Sequence, residues 1–312
     1  MNTQPIRIGT RASKLALIQA HDTKARIGRA LGNPEAADVV PITTSGDRIQ
    51  DRSLMALGGK SLFTKEIEEA LLEGRIDCAV HCLKDMPALS PPGLVIAAIP
   101  EREDPRDAFL SERFTDLMAL PHGARLGTAS LRRAAQALHL RPDLKVVLMR
   151  GNVDTRLAKL AAGEADAILL AVAGLNRLGL GHLPKSLIDP LVAPPAPGQG
   201  ALAIQTRAED ADADWLAGLR HLPTTIAVAA ERGALEALEG SCRTAIGAHA
   251  RLDGDRLTLI VEALTPDGGA RYRRQGEVDV SGSDGEARAR AFGHDFGLQI
   301  GREGGEALLA AL

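Results

Sequence analysis

Residues 127–156 read GTASLRRAAQALHLRPDLKVVLMRGNVDTR and carry six Arg or Lys side chains against two Asp side chains. Thr128 or Ser130 can cap the helix that follows, which places Arg132 and Arg133 in its first turn. Cations there oppose the helix dipole and cost about 0.3–1 kcal/mol each, so a purely structural helix favours Asp or Glu. This placement predicts an anion at the start of the helix, bound by backbone N–H groups, hydroxyls and guanidinium groups.

The same strand–turn–helix unit recurs within this stretch. Residues 145–149 form an apolar strand, Arg150 lies in the turn that follows, and Arg156 lies on the next helix. In open α/β sheets, ligands bind outside the carboxyl ends of the strands, where both turns are expected. The alternative is a solvated basic face, because runs of charge usually have that role.

The composition is that of a globular protein of two or three domains, with 312 residues, 45% of them hydrophobic, and a net charge of −3. One Trp, one Tyr and five Phe supply few stacking rings, which opposes nucleic-acid binding. The N-terminus shows no secretory signal, and the most apolar stretch, residues 165–175, is too short to span a bilayer. We therefore expect a cytoplasmic protein that binds no membrane.

The cysteines and histidines set further limits. Cys78, Cys82 and Cys242 make no disulfide framework, which indicates a reducing compartment, and Cys78 is expected in the core. Eight His residues show no close pairing, so no metal site is predicted. Cys242 lies on a predicted loop beside Arg243, whose guanidinium favours the nucleophilic thiolate. The alternative is an inert cysteine, as most lone cysteines are.

A weak internal echo indicates two related α/β lobes. Residues 9–13 (GTRAS) resemble residues 127–130 (GTAS), and residues 74–79 (GRIDCA) resemble residues 163–168 (GEADAI). The two pairs occur in the same order, each beside a strand and a helix. In the first lobe the periodicity predicts a helix over residues 14–31. A cleft is expected between the lobes.

Two breaks in composition mark the crossings between the lobes, EREDPR at residues 101–106 and PPAPGQG at residues 194–200. The strand expected at residues 201–204 returns the chain to the first lobe. The crossings would then form a double hinge, which suits closure around a ligand. The predicted domains are lobe 1 at residues 1–100 and 200–218, lobe 2 at residues 105–194, and a C-terminal domain at residues 222–312.

The C-terminal domain has a different pattern. Turn sequences containing Asp-Gly separate three apolar runs, and a helix follows them. This pattern predicts a small α+β domain with a three-stranded antiparallel sheet. The strands are expected at residues 245–252, 256–264 and 270–280, and the closing helix at residues 284–299.

Lys84 and Asp85 come directly after a predicted buried strand at residues 76–80. At such a strand end Asp85 can hold a cation or accept a proton from a ring N–H. The alternative is a helix cap or an ordinary Lys–Asp surface pair.

Several ordered motifs resemble those of the hydroxymethylbilane synthase family, also called the porphobilinogen deaminase family. The resemblance runs from Ile6 to about Ala250 and is looser beyond. The motifs are RIGTRAS (7–13), GGKSLF (58–63), AVHCLKD (79–85), EREDPRDAF (101–109), SLRR (130–133), RGNVDTR (150–156) and PGQGA (197–201). Ala129 and Ser241 depart from the common family pattern. The resemblance therefore does not imply one of the family's hydrogen bonds to a carboxylate, nor the detailed geometry of the loop around Cys242.

The resemblance implies two lobes like those of periplasmic binding proteins, followed by the small C-terminal domain. It implies a dipyrromethane cofactor joined by a thioether to Cys242. It also implies that four porphobilinogen units are added stepwise with loss of ammonia, and that hydrolysis then releases the linear tetrapyrrole hydroxymethylbilane. The enzyme is expected to act as a monomer in porphyrin and heme biosynthesis.

The resemblance also implies roles for individual residues. Asp85 is the expected catalytic residue, which stabilises positive charge through the pyrrole N–H. Phe63 and the loop at residues 45–60 are expected to cover the cleft. The expected cofactor-binding residues are Cys242, Lys84, Asp85, Thr128, Ser130, Arg132 and Arg133. The expected substrate-binding residues are Arg11, Ser13, Arg150, Arg156, Arg177 and Gln199.

A non-catalytic, two-lobed binder of a small carboxylate is the alternative function. It shares the lobes and hinges, but it predicts no adduct on Cys242 and no dependence on Asp85.

Overall fold

The computed structural model describes residues 4–45, 64–238 and 245–309. The chain divides into two compact units, Met1–Glu103 with Gly200–Thr225, and Asp104–Gln199 with Ile226–Leu312. The predicted loop after residue 45, Phe63 and Cys242 lie outside the described ranges. The three domain boundaries stay a prediction.

The first unit forms a five-stranded sheet with a helix packed on each face. Its elements are β1 (Ile6–Arg11), α1 (Lys14–Leu31), β2 (Ala37–Ile42), α2 (Lys65–Leu72), β3 (Cys78–Cys82), β4 (Leu94–Ala98) and β10 (Leu202–Arg207). Cys78 and Val80 pack with α1, whereas Ala79 packs with α2, because successive strand residues point to opposite faces. The sheet order is β2–β1–β3–β10–β4, so the predicted return of the chain to the first lobe is confirmed by β10.

The second unit contains a sheet with the same arrangement. Its elements are β5 (Asp107–Leu110), β6 (Arg125–Thr128), α3 (Leu131–Leu140), β7 (Lys145–Leu148), α4 (Val153–Ala161), β8 (Ala167–Ala171), α5 (Val172–Arg177) and β9 (Ser186–Ile188). The order is β7–β6–β8–β5–β9, with β5 antiparallel to β8 as β10 is to β3. The predicted pair of lobes with related topology is therefore confirmed.

The C-terminal part of the chain, which belongs to the second unit from Ile226 onward, forms the predicted three-stranded antiparallel sheet. Its elements are α6 (Leu222–Leu238), β11 (Ala245–Asp253), β12 (Arg256–Leu264), β13 (Arg271–Asp279) and α7 (Gly285–Leu309). The closing helix continues past the predicted end at residue 299, with a break at Gly305 (φ 43°), because Ile300 and Leu308 on either side of the break are buried in the core of this sheet. No helix formed by the described residues has both the length and the apolar character needed to cross a membrane.

Side-chain caps explain where α1, α3 and α4 begin. The Ser130 hydroxyl accepts the Arg133 N–H at 3.4 Å, so Ser130 caps α3, while Thr128 Oγ1 accepts the Ser130 N–H at 3.1 Å. Ser13 caps α1 in the same way, and Asn152 caps α4. The predicted helix over residues 14–31 is confirmed. These side chains satisfy N–H groups that a helix leaves without a partner.

Gly293 on α7 allows close contact with α6. A Cβ at this position would lie 1.8 Å from the Ala230 carbonyl oxygen. We expect Gly293→Ala to lower the free energy of unfolding by about 1–3 kcal/mol, since overpacking forces the helices apart. Gly301→Ala on the same helix is the matched control, because its nearest atom is 3.8 Å away and Ala favours a helix. Equal urea midpoints for the two variants contradict this prediction.

Candidate functional site

The guanidinium groups of Arg132 and Arg133 at the start of α3 bind one carboxylate, that of Asp107 on β5. Arg132 Nη1 lies 2.8 Å from Asp107 Oδ2, and Arg133 donates to Oδ1 from Nε at 3.1 Å and from Nη2 at 2.7 Å. All three side chains are at least nine-tenths buried. Although burial opposes ionisation, the two cations hold the pKa of Asp107 well below its usual range. The anion predicted at this helix end is thus supplied, at least in part, by the protein.

Further hydrogen bonds fix both guanidinium groups. Arg132 Nη1 also donates to Gln136 Oε1 at 2.8 Å and to the Pro194 carbonyl at 3.1 Å. Arg133 Nη1 donates to the Leu169 carbonyl on β8 at 3.0 Å. The arginines are therefore held as rigid groups rather than as mobile surface side chains.

Gln199 joins the same cluster from the second predicted crossing. It is 1% exposed, and its Nε2 donates to the Pro105 carbonyl at 2.7 Å and to Asp107 Oδ1 at 2.9 Å. The Gln199 side chain therefore joins the two predicted crossings by hydrogen bonds to residues 105 and 107. The structure thus brings Arg132, Arg133 and Gln199 together around Asp107.

Three arginine nitrogens in the second unit are buried without an acceptor among the described residues. They are Arg132 Nε, Arg150 Nη1 and Arg288 Nε, of which the first two belong to predicted site residues. A buried donor left in this state costs about 1–3 kcal/mol. Each atom can therefore donate to an additional anion or carbonyl group.

The other predicted arginines of this unit follow the neighbouring strands. β6, β7 and β8 are parallel, so their carboxyl ends lie at one edge of the sheet. Arg150 follows β7, and Arg156 lies on α4, where its Nε donates to the Gly151 carbonyl at 2.8 Å. Arg177 is the last residue of α5, which follows β8. The three side chains are half-buried.

The first unit places its predicted site residues at the carboxyl ends of two parallel strands. Lys84 and Asp85 belong to a short 3₁₀ turn directly after β3, with Lys84 half-buried and Asp85 exposed. Arg11 ends β1, and Ser13 caps α1. The pairing of β1 with β3 puts both groups at one edge of this sheet.

His81 on β3 is a buried polar residue that the sequence analysis did not identify. Burial lowers the pKa of His81 to about 4, and the positive charge of Arg11 also lowers it, so the imidazole is neutral near pH 7. The sequence analysis also missed Asp107, Gln136 and Glu262. Asp107 does occur within the EREDPRDAF motif, which was the available signal.

The two cysteines in the described ranges differ in their environments. Cys78 is fully buried, as predicted, and burial raises the pKa of its thiol well above the usual range. Cys82 is half-buried, and Gln19 Nε2 lies 3.2 Å from its Sγ. The environment of Cys78 therefore does not favour a thiolate near neutral pH.

Sequence comparison finds the same family over most of the chain. A model described as porphobilinogen deaminase, dipyrromethane cofactor binding domain, matches residues 6–214, and one described as the C-terminal domain matches residues 225–300. Proteins named porphobilinogen deaminase are similar throughout. The one from Caulobacter vibrioides (strain NA1000 / CB15N) is 67% identical over 98% of both chains, and the one from Phenylobacterium zucineum (strain HLK1) is 63% identical over 99% of this chain and 100% of its own.

Solved structures of binding proteins are more distantly similar. The methionine-binding protein MetQ is 16% identical with a TM-score of 0.44, over 69% of this chain and 87% of its own. A periplasmic substrate-binding protein from Coxiella burnetii is 15% identical with a TM-score of 0.43, over 74% and 96%.

Proposed function

Because this chain belongs to the porphobilinogen deaminase family, we propose that it condenses four porphobilinogen units, with loss of ammonia, on a covalently bound dipyrromethane primer. Hydrolysis then releases the linear tetrapyrrole hydroxymethylbilane, so the protein is a transferase of porphyrin and heme biosynthesis. The observation that carries this proposal is 67% identity to a porphobilinogen deaminase along 98% of both chains.

The chemistry of the primer fits the arginines of the second unit. Every porphobilinogen unit carries an acetate and a propionate, so the growing chain is a polyanion, and arginine suits bidentate recognition of carboxylates. Arg132 Nε and Arg150 Nη1 are buried donors for which such a carboxylate is a suitable acceptor. When bound, the primer supplies the pyrrole end to which each new unit is added.

The remaining site residues keep the roles implied by the family motifs, as proposals. Cys242 attaches the primer, and the groups that hold it are Lys84, Asp85, Thr128, Ser130, Arg132 and Arg133. The groups that bind the incoming units are Arg11, Ser13, Arg150, Arg156, Arg177 and Gln199. The side-chain amide of Gln199 already donates to Pro105 and Asp107, so a contact with substrate is in addition to those bonds.

Asp85 is the proposed catalytic residue. Loss of ammonia from porphobilinogen leaves a positively charged pyrrole, and an aspartate near its N–H stabilises that charge as it develops. The exposed position of Asp85 directly after β3 leaves its carboxylate accessible to such a group.

Intact mass spectrometry and a turnover assay test the function together. Protein purified from a host that makes porphobilinogen should carry the added mass of two linked pyrrole units, and it should consume porphobilinogen with release of ammonia. An unmodified chain that consumes no porphobilinogen would refute the enzyme and favour the carboxylate-binding alternative.

Cys242→Ser tests the attachment point. We expect this variant to lack the thioether-bound mass, because a serine hydroxyl is a much weaker nucleophile than a thiolate near neutral pH. Cys82→Ser is the matched control and should keep both the added mass and turnover. A thioether adduct that persists in Cys242→Ser excludes Cys242 as the attachment point.

We also infer a cytoplasmic, monomeric enzyme. Cys78 and Cys82 are free thiols, which suits a reducing compartment. Light scattering coupled to size-exclusion chromatography tests the oligomeric state, and a mass of twice 32.8 kDa contradicts a monomer.

A further inference from the structure

The side chain of Gln136 links Arg132 to a carboxylate of the C-terminal sheet. Gln136 lies one turn after Arg132 on α3 and is 5% exposed. Its Oε1 accepts from Arg132 Nη1 at 2.8 Å, and its Nε2 donates to Glu262 Oε1 at 2.7 Å and to the Pro194 carbonyl at 2.8 Å. The orientation of the amide is unambiguous, because arginine only donates whereas a carboxylate and a carbonyl only accept.

The buried charges around Gln136 are unevenly compensated. One carboxylate, Asp107, serves two arginines, Arg132 and Arg133. The second buried carboxylate, Glu262, is 1% exposed and lies 3.5 Å from Arg273 Nη1. The neutral amide of Gln136 separates Glu262 from Arg132. Arg132 therefore shares its one directly bonded carboxylate with Arg133, and its buried Nε has no acceptor among the described residues.

We propose that Gln136 is a positioning residue, which orients the Arg132 guanidinium so that its Nε edge receives a carboxylate of the tethered pyrrole chain. The Gln136 amide also keeps the Glu262 carboxylate from binding the Arg132 guanidinium. The inference rests on the proposed function, because it identifies the incoming anion as an acetate or propionate of that chain.

Docking of the C-terminal sheet on α3 has separate supports. His139 Nδ1 lies 2.9 Å from the Gly268 carbonyl oxygen, and Ala135 packs against Ala245 and Leu264. A Cβ on Gly268 would lie 2.6 Å from the Ala135 carbonyl oxygen, so the turn sits directly on the helix. Loss of the Gln136 side chain therefore leaves these other contacts between α3 and the sheet in place.

An exchange of charge provides the test. In the double variant Gln136→Glu with Glu262→Gln, the net charge and side-chain sizes are kept, but the carboxylate lies against Arg132. We expect the fraction of chains carrying the primer, measured by intact mass, and kcat/KM for porphobilinogen each to fall about tenfold or more, with Tm close to that of the unchanged protein. Unchanged primer loading and kcat/KM in the folded double variant overturn the proposal.

A pair of single variants keeps the test decisive if the double variant does not fold. Gln136→Met removes the hydrogen bonds at similar volume, and His139→Leu removes a docking contact at the other end of α3. Lower primer loading and kcat/KM in Gln136→Met alone support the proposal, whereas equal losses in both variants overturn it. An unchanged protein that carries no primer and consumes no porphobilinogen refutes the proposed function instead.

Discussion

Replacing Asp85 by alanine is expected to lower porphobilinogen turnover roughly 10²–10³-fold, the usual effect of removing one group that stabilises developing charge. The primer should remain attached, because Cys242 rather than Asp85 forms the covalent bond. Steady-state assays give the loss of turnover, and intact mass of the same sample gives the fraction of chains with primer.

The local structure indicates that this loss reflects chemistry rather than folding. The turn that carries Asp85 is anchored by its backbone, since the Leu83 N–H donates to the Ala201 carbonyl at 3.0 Å and the Met86 N–H donates to the Leu83 carbonyl at 3.1 Å. Leu83 and Met86 are buried, whereas the Asp85 side chain is exposed. Truncation at Asp85 therefore leaves the packing of β3 unchanged.

Asp212→Ala is the control for the removal of an exposed carboxylate in the same unit. The Asp212 side chain is fully exposed, and turnover should be unaffected by its loss. Near-normal turnover in Asp85→Ala removes Asp85 from the catalytic role.

Asp107→Asn is expected to lower the free energy of unfolding by about 3–5 kcal/mol. Removing one partner from a buried ion pair leaves an uncompensated buried charge, and here two arginines lose their shared carboxylate. The amide would also direct N–H groups towards guanidinium N–H groups. Urea denaturation followed by circular dichroism measures the change.

The same carboxylate predicts a pH dependence. Because the folded protein holds the pKa of Asp107 below its unfolded value of about 3.9, its stabilising contribution is complete above that pH. It is lost as the pH falls through and below that value. The difference in unfolding free energy between the unchanged protein and Asp107→Asn should therefore be constant between about pH 5 and 8 and shrink below about pH 4.

Asp143→Asn is the matched control. Asp143 accepts from Arg141 Nε at 2.7 Å at the other end of α3, but this pair lies nearer the surface. Solvent screens such pairs, so its loss should change stability much less. Equal destabilisation by the two variants, or a difference that does not shrink in acid, contradicts the structural role given to Asp107.

Local signals were sufficient to predict much of the fold. α1 was predicted over its full length because a Ser cap at its start and Gly32 with φ of 63° at its end act within a few residues. The turns that contain Asp-Gly predicted where the C-terminal strands begin and end, in each case to within about one residue. The predicted end of α7 was wrong. Its last residues are glycine-rich and have little local tendency to form a helix, and they are stabilised by the burial of Ile300 and Leu308.

The family motifs found the arginines but not their partners. Asp107 is one of several charged residues between positions 101 and 107, and nothing in its neighbours distinguishes it. Its arginines lie 25 and 26 residues further along the chain. Gln136 and Glu262, 126 residues apart, were missed for the same reason.

From the sequence alone came the family, the alternation of strands and helices, and the presence of arginines after strands, because these depend on residue order and short-range spacing. Only the tertiary structure decided which anion Arg132 and Arg133 meet. That contact requires β5 to run antiparallel beside β8 and α3 to start at the end of β6, and such long-range pairing leaves no periodic trace in the sequence.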